Sequence, residues 1–323
     1  MGIGYNGGVS EILLPMEKLA QVARKVAPGS QLRRAWPLQG GISAGMVALE
    51  VETAAGHTKK MIIRRYSDEH LRNNPQLAAA EFRLLQLTRA QDLSTPEPFY
   101  YDQTGHIFSK PFLVLEYIEG EMTFSPPDLA GTMRQLGRQL AQIHQVDPGE
   151  VDLSFLPKRG DVCRELGRER PYEVDPSLLE DQIRDRLAAA GSLAQANKPT
   201  LLHGDYWPGN SLWRDGKLVA VIDWEDAAVG DPLVDLANSR AEIVWIFGFA
   251  AMQLFTREYQ SLMPLDYNDL PYYDLCAVLR VLRFAAGDLA GLAAYFAPYG
   301  RLDITAESIE ENLLLLIQRT GNK

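Results

Sequence analysis

The segment from His203 to Asp223 constrains this chain more than any other stretch. It holds His203-Gly204-Asp205, then Asn210, then the run Arg214-Asp215-Gly216-Lys217, then an apolar strand that ends at Asp223. Asp-Gly supplies the positive-φ positions of a type I′ turn, so the flanking residues are predicted to pair as a tight hairpin. With Arg214 opposite Lys217, the register puts Asn210 opposite Val221, with Asp223 two residues further along. Side chains two apart share a face, so Asn210 and Asp223 are expected on one side of the ribbon's open end. Asp205 precedes the ribbon, in a loop that begins where the Thr200-Leu201-Leu202 strand ends. Each residue alone has a structural reading, as a turn former or a strand cap. Together, two carboxylates and a carboxamide are what magnesium-assisted phosphoryl transfer requires: a base to orient a hydroxyl, and oxygen ligands for a hard cation.

The rest of the chain narrows the class. At 323 residues it can bury a sizeable core, and 46% hydrophobic with 23% charged residues is ordinary for a folded soluble protein. The apolar run Ile243 to Phe255 is too short for a bilayer span, which takes about 20 residues. Met1 to Ser10 lacks the basic and apolar regions of a secretory signal, so a cytoplasmic location is expected. Cys163 and Cys276 stand far apart and outside any metal-binding spacing, which reads as two reduced thiols. A formal charge of −10 argues against a nucleic-acid partner.

Periodicity divides the chain in two. Residues 15–26 read as a short amphipathic helix, and residues 1–30 as an N-terminal helical extension. From 31 to 117 the pattern gives strands near 49–53, 60–64, 99–102 and 112–117, with a helix over 76–90. Beyond residue 118, Met133, Leu136, Leu140 and Ile143 recur at helical spacing. Residues 158–190 are charged and are expected as exposed helices. From Asp231 onward the chain reads as helical, with breaks near 263–271 and 298–300.

The residues Leu202-His203-Gly204-Asp205-Tyr206-Trp207-Pro208-Gly209-Asn210, with Val221-Ile222-Asp223-Trp224-Glu225 and Gly230-Asp231-Pro232-Leu233-Val234-Asp235-Leu236-Ala237, resemble the aminoglycoside phosphotransferase and choline kinase-like family. The resemblance is strongest over 200–237 and thinner over 38–120. It implies an α+β, bilobal protein-kinase-like fold, with a small β-rich N-lobe over 31–117 and a larger, mainly helical C-lobe over 118–323. It also implies Asp205 as catalytic base, Asn210 and Asp223 as Mg²⁺ ligands, and ATP as phosphoryl donor, with GTP as an alternative. Trp207 stands where protein kinases place a Lys, Trp224-Glu225 replaces Phe-Gly, and no Ala-Pro-Glu segment follows. A small hydroxylated acceptor, aminoglycoside-, aminoalcohol- or sugar-like, is therefore expected in place of a protein.

The same framework gives the nucleotide end. Gly41 and Ser43, within Gln39-Gly40-Gly41-Ile42-Ser43-Ala44-Gly45, are expected in a phosphate-covering loop. Arg64, ending the strand Met61 to Arg64, is expected to grip phosphates with Glu81 as its carboxylate partner; Lys60, on the same strand face, is the rival. Adenine is expected to meet the backbone from Glu116 to Ile118. Glu225 and Asp226 are candidate contacts for a cationic acceptor, although a solvated or loop-supporting role fits them equally. His203 and Asp235 read as braces for the Asp205 loop, and His144 as a core histidine. A silent nucleotide-binding protein on this fold and an atypical protein kinase are the alternatives.

Overall fold

All four strands read between residues 31 and 117 form, and one more joins them at the sheet's edge. The computed structural model describes residues 14–38, 44–160, 162–168, 179–190 and 196–320. Strands β1 (Gln31–Pro37), β2 (Ala44–Glu52), β3 (Thr58–Tyr66), β4 (Pro98–Asp102) and β5 (Phe112–Glu116) form one sheet in the order β1-β2-β3-β5-β4. Every adjacent pair is antiparallel. The β2–β3 turn closes with Gly56 at φ 78°, a conformation that glycine adopts without strain. Helix α1 (Met16–Val26) buries Leu19, Val22 and Ala23 against Leu49, Val51, Met61, Ile63, Phe112 and Val114 of the sheet. Helix α1, expected as part of an N-terminal extension, thus supplies part of the sheet's own core. Helix α2 (Asp68–Asn73) starts on Ser67, whose hydroxyl accepts from His70 N–H, and α3 (Leu77–Ala90) packs on β4 and β5. This compact unit runs to Glu119, and the second begins at Gly120.

The second unit is mainly helical. Helix α4 (Leu129–His144) buries Met133, Leu136, Leu140 and Ile143, the stripe read from the sequence. It packs on α8 (Phe249–Leu262) through Gly137, where a Cβ would lie 2.6 Å from the Phe255 carbonyl oxygen. Helices α5 (Val162–Arg168) and α6 (Glu180–Ala190) fall in the charged stretch. The expectation that they are exposed is corrected for both: α5 buries Cys163 and Leu166, and α6 buries Ile183, Leu187 and the paired Glu180 and Arg184. That pairing lets a charged sequence turn a face inward.

Strands β6 (Thr200–Leu202) and β9 (Ala228–Gly230) pair antiparallel, and β7 (Ser211–Arg214) pairs with β8 (Lys217–Val221). Helices α7 (Leu233–Phe247), α9 (Leu270–Ala285), α10 (Leu289–Ala294) and α11 (Ala306–Arg319) complete the unit. A two-pronged ion pair ties α7 to α9: Arg240 donates to Asp274 through Nε at 2.8 Å and Nη2 at 2.9 Å. Cys163 and Cys276 are both buried thiols. Among the described residues no helix is long and apolar enough to cross a membrane.

Candidate active site

The hairpin turns at Asp215-Gly216, with φ of 53° and 72°, as the sequence predicts. Its register departs from the simple count. Arg214 faces Lys217 and Trp213 faces Leu218, but Leu212 then faces Ala220 and Ser211 faces Val221. A bulge adds one residue to the second strand, so the pairing of Asn210 with Val221 is corrected. Asn210 instead closes a 3₁₀ turn, Pro208–Asn210, and its carbonyl accepts from Ile222 N–H at 2.9 Å. On the other side of β7, Trp213 and Glu121 exchange backbone hydrogen bonds of 2.9 and 3.0 Å. Asp223 lies just past the end of β8 in the left-handed region, at φ 70°. Strand alternation therefore does not place Asn210 and Asp223. A 3₁₀ turn at one strand end and a left-handed residue at the other do.

The Asp205 loop is held from behind by a buried carboxylate. Asp235, fully buried near the start of α7, accepts from His203 N–H at 2.6 Å and Gly204 N–H at 3.1 Å. His144 Nε2 stands 3.4 Å from the same carboxylate, and His144 Nδ1 is 2.6 Å from the Tyr259 hydroxyl. His203 is itself enclosed; its Nδ1 accepts from Asp205 N–H at 3.3 Å and its Nε2 donates to Ile222 O at 3.0 Å. Burial pushes this imidazole's pKa down, which keeps it neutral and suits one donor and one acceptor nitrogen. It thus links the loop to the strand end beside Asp223. Gly204 is required twice over: its φ is 85°, and a Cβ there would lie 2.1 Å from Asp226 O. Gly209 lies under the Trp207 ring, which stacks on Phe124 with centroids 6.0 Å apart. Trp224 is core, packed on His203 at 4.5 Å.

Asp205 and Asn210 meet directly. Asn210 Nδ2 donates to both Asp205 O and Asp205 Oδ2 at 2.9 Å. Two further residues join them that sequence reasoning missed. Arg280 on α9 donates through Nη2 to Asp205 Oδ1, and its Nη1 lies 3.5 Å from Glu242 Oε1 on α7. Their signal was present in the sequence, since each is a charge with apolar residues directly on both sides within a largely apolar helix: Leu279-Arg280-Val281 and Ala241-Glu242-Ile243. Of the acidic pair after Asp223, Glu225 is partly buried and Asp226 is exposed as a residue. The Asp226 carboxyl is nevertheless pushed up by local desolvation and by the charge on Asp205. Trp245, one of the aromatic residues of this half, is buried and donates Nε1–H to Glu242 Oε2 at 3.1 Å.

Burial drives the Glu242 carboxyl from its ordinary 4.5 up to about 7, with the Asp205 charge adding to the rise and Arg280 opposing it. Its folded pKa exceeds its unfolded one, so the native state binds the extra proton between these values. The stability that this group contributes is therefore present at low pH and lost as pH rises from 4.5 through 7. Its ionisation costs about 3 kcal/mol at most. Glu242→Gln is expected to match wild type in urea denaturation near pH 4 and to exceed it at pH 8. A gap that stays constant with pH would refute this.

In the small unit, Arg64 and Glu81 are both buried, with Nη1 and Oε1 3.5 Å apart. Tyr66 donates its hydroxyl proton to Glu81 Oε2 at 2.8 Å. The rival Lys60 instead forms an outer ion pair with Glu119 at 2.6 Å, so the carboxylate pairing falls to Arg64. Glu116 ends β5, and its N–H already donates to Glu97 O at 2.8 Å. Gly41 and Ser43 lie outside the described residues.

A sequence model of the phosphotransferase enzyme family, APH, matches residues 37–260. The chain belongs to this family. The match takes in both the Arg64–Glu81 pair and the Asp205–Asp223 segment. Among individual relatives, the chain is 25% identical to mouse acyl-CoA dehydrogenase family member 10 over 195 residues, covering 56% of this chain and 18% of that protein. It is 29% identical to viomycin phosphotransferase of Streptomyces vinaceus over 157 residues, covering 44% of this chain and 54% of that enzyme. The chain therefore spans only part of the length of the curated relatives it matches. The fold is that of spectinomycin phosphotransferase, solved with ADP and spectinomycin: TM-score 0.62, 18% identity, 94% of this chain and 98% of that one. The α+β, protein-kinase-like fold expected from the sequence is thus the fold of the family.

Proposed function

We propose that this chain is an ATP- and Mg²⁺-dependent phosphotransferase that phosphorylates a hydroxyl of a small molecule. The observation that carries the reading is the grouping of Asp205, Asn210 and Asp223 on a loop and hairpin end. There Asn210 touches the Asp205 carboxylate at 2.9 Å and Asp235 clamps the loop. Its relatives named for phosphotransfer to viomycin and spectinomycin support a small acceptor.

The donor set fits a magnesium ion in kind and number. Among the described residues no cluster of three or more His, Cys, Asp or Glu side chains could enclose an ion unaided. Mg²⁺ in phosphoryl-transfer sites is held by one or two carboxylates together with substrate phosphates and water, not by an all-protein cage. Asp223 and the amide oxygen of Asn210 supply such a partial set; the Asn210 Nδ2–H bonds to Asp205 leave that oxygen as a ligand. Bound there, the ion would neutralise charge on the β- and γ-phosphates.

Asp205 then accepts a hydrogen bond from the acceptor hydroxyl and aims its oxygen. Arg64, held by Glu81, binds nucleotide phosphate with a guanidinium fork. Because positioning and charge supply most of the catalysis in this chemistry, each role falls to a side chain with a fixed partner. GTP is the alternative donor, since side-chain identity along Glu116 to Ile118 carries little information about the base. Asp226, crowded by Asp205, and Glu225 are the candidate contacts for an amine on the acceptor.

The test is an ADP-release screen with ATP and Mg²⁺ over aminoglycosides, macrolides, choline, ethanolamine, homoserine, and sugar or glycated-amine acceptors. Acceptor-dependent turnover is expected with at least one class. Nucleotide binding with no turnover across the panel would favour a silent nucleotide-binding protein, and phosphate entering protein alone would favour a protein kinase. Arg64→Lys is expected to keep the fold and weaken nucleotide binding about tenfold by calorimetry, because a point charge replaces a bidentate fork. Unchanged affinity would remove Arg64 from the site.

A further inference from the structure

Once Asp205, Asn210 and Asp223 are assigned, Arg280 remains without a role. Its position is unusual. The side chain is about a third exposed, 32%, so it lines open surface and does not fill the core. From there it reaches Oδ1 of the proposed base, Asp205. Behind it stands Glu242, 15% exposed, which is in turn held by the Trp245 indole at 3.1 Å. Helices α7 and α9, which carry Glu242 and Arg280, are bolted together by the Arg240–Asp274 fork, so the cation sits on a fixed base.

We infer that Arg280, anchored by Glu242, is a positioning residue that sets the orientation of the Asp205 carboxylate for the acceptor hydroxyl. This rests on the phosphotransferase reading and adds a residue to it. Arg280 holds Oδ1 and Asn210 holds Oδ2, so the carboxylate is gripped at both ends and cannot turn about its χ2 axis. Each ionised oxygen has two acceptor lone pairs, so one stays open for the substrate. A core role would not need a guanidinium at the surface. It would not need a carboxylate kept largely buried at an energetic cost behind it either. The chain of partners, Trp245 to Glu242 to Arg280 to Asp205, runs from packed interior to reacting position. That is how a site side chain is fixed within the narrow tolerance of productive geometry.

The test uses the full chain with ATP, Mg²⁺ and whichever acceptor the screen identifies. Arg280→Met is expected to lower kcat about 100-fold, the cost of a misplaced reacting group, with nucleotide KM unchanged. Arg280→Lys is expected to retain more activity than Arg280→Met at equal melting temperature. Millimolar guanidinium ion is expected to restore part of the Arg280→Met rate, an effect that a structural role would not produce. In an Asp205→Ala background, Arg280→Met is expected to cost nothing further, since residues acting as one unit are not additive. Should Arg280→Met fail to fold, Arg280→Lys and Glu242→Gln carry the test through the same kcat-against-KM split. Wild-type kcat in Arg280→Met, or an equal loss in the Asp205→Ala background, overturns the inference while the phosphotransferase reading stands. Absence of any acceptor-dependent turnover in the wild type overturns both.

Discussion

Replacing Asp205 with alanine is expected to lower kcat by about 10²–10⁴-fold, the usual worth of a positioned general base, while nucleotide affinity stays near wild type. The two effects separate because the residues belong to different parts of the fold. Arg64 and Glu81 are fixed within the sheet-containing unit, whereas Asp205 is held by the loop that Asp235 clamps. Asparagine is expected to rescue little. Both Asp205 oxygens accept from donors, Oδ1 from Arg280 and Oδ2 from Asn210, so an amide must set its own N–H₂ against one of them. Stability is expected to change little in either variant, because the Asp205–Arg280 pair keeps about a third of each side chain in solvent. ADP release at saturating acceptor reads the rate, and calorimetry with nucleotide reads the affinity. Turnover near the wild-type rate in Asp205→Ala would remove Asp205 from the chemistry.

How much of this was legible in the sequence depends on how local each feature is. Asp215-Gly216 specifies its turn through φ alone, and the turn forms as read. The alternation of Leu49 and Val51, and the helical stripe from Met133 to Ile143, depend only on burial of one face; both appear. Register failed where a second partner intervened. Trp213 is bonded to Glu121 as well as lying opposite Leu218, and no periodicity in residues 210–223 reports a strand contact from residue 121. Asp235 was readable as a brace because it lies within the same motif segment as its targets, although 32 residues from His203. Arg280 was not, since it reaches Asp205 from 75 residues away and only tertiary packing of α7 on α9 brings it there. An arginine or glutamate with apolar residues directly on both sides in a helix is the trace that such packing leaves. It marks a residue to examine without naming its partner.

Asp235→Ala is the second large effect expected, and it acts on fold and rate together. The carboxylate is fully buried and serves three groups: two backbone N–H donors, at His203 and Gly204, and the His144 ring. Alanine leaves those donors buried without an acceptor, at about 1–3 kcal/mol each. Local relaxation recovers part of this, so a loss of about 3–5 kcal/mol is expected, the range for breaking one side of a buried charged network. Asparagine restores one acceptor but opposes its N–H₂ to a second donor, and should fall between alanine and wild type. Burial alone would raise the Asp235 carboxyl, yet His144 and the backbone donors hold it below its ordinary value. A folded pKa below the unfolded one means a contribution that is present above 3.8 and lost as pH falls through the folded value. The gap between wild type and Asp235→Ala in urea denaturation should therefore be full at neutral pH and narrow in acid. The same variant should lose kcat even where it remains folded, because the loop that aims Asp205 hangs from this carboxylate. A stability loss under about 1 kcal/mol at pH 7, smaller than a single buried unpaired donor costs, would show that the loop is held by other contacts.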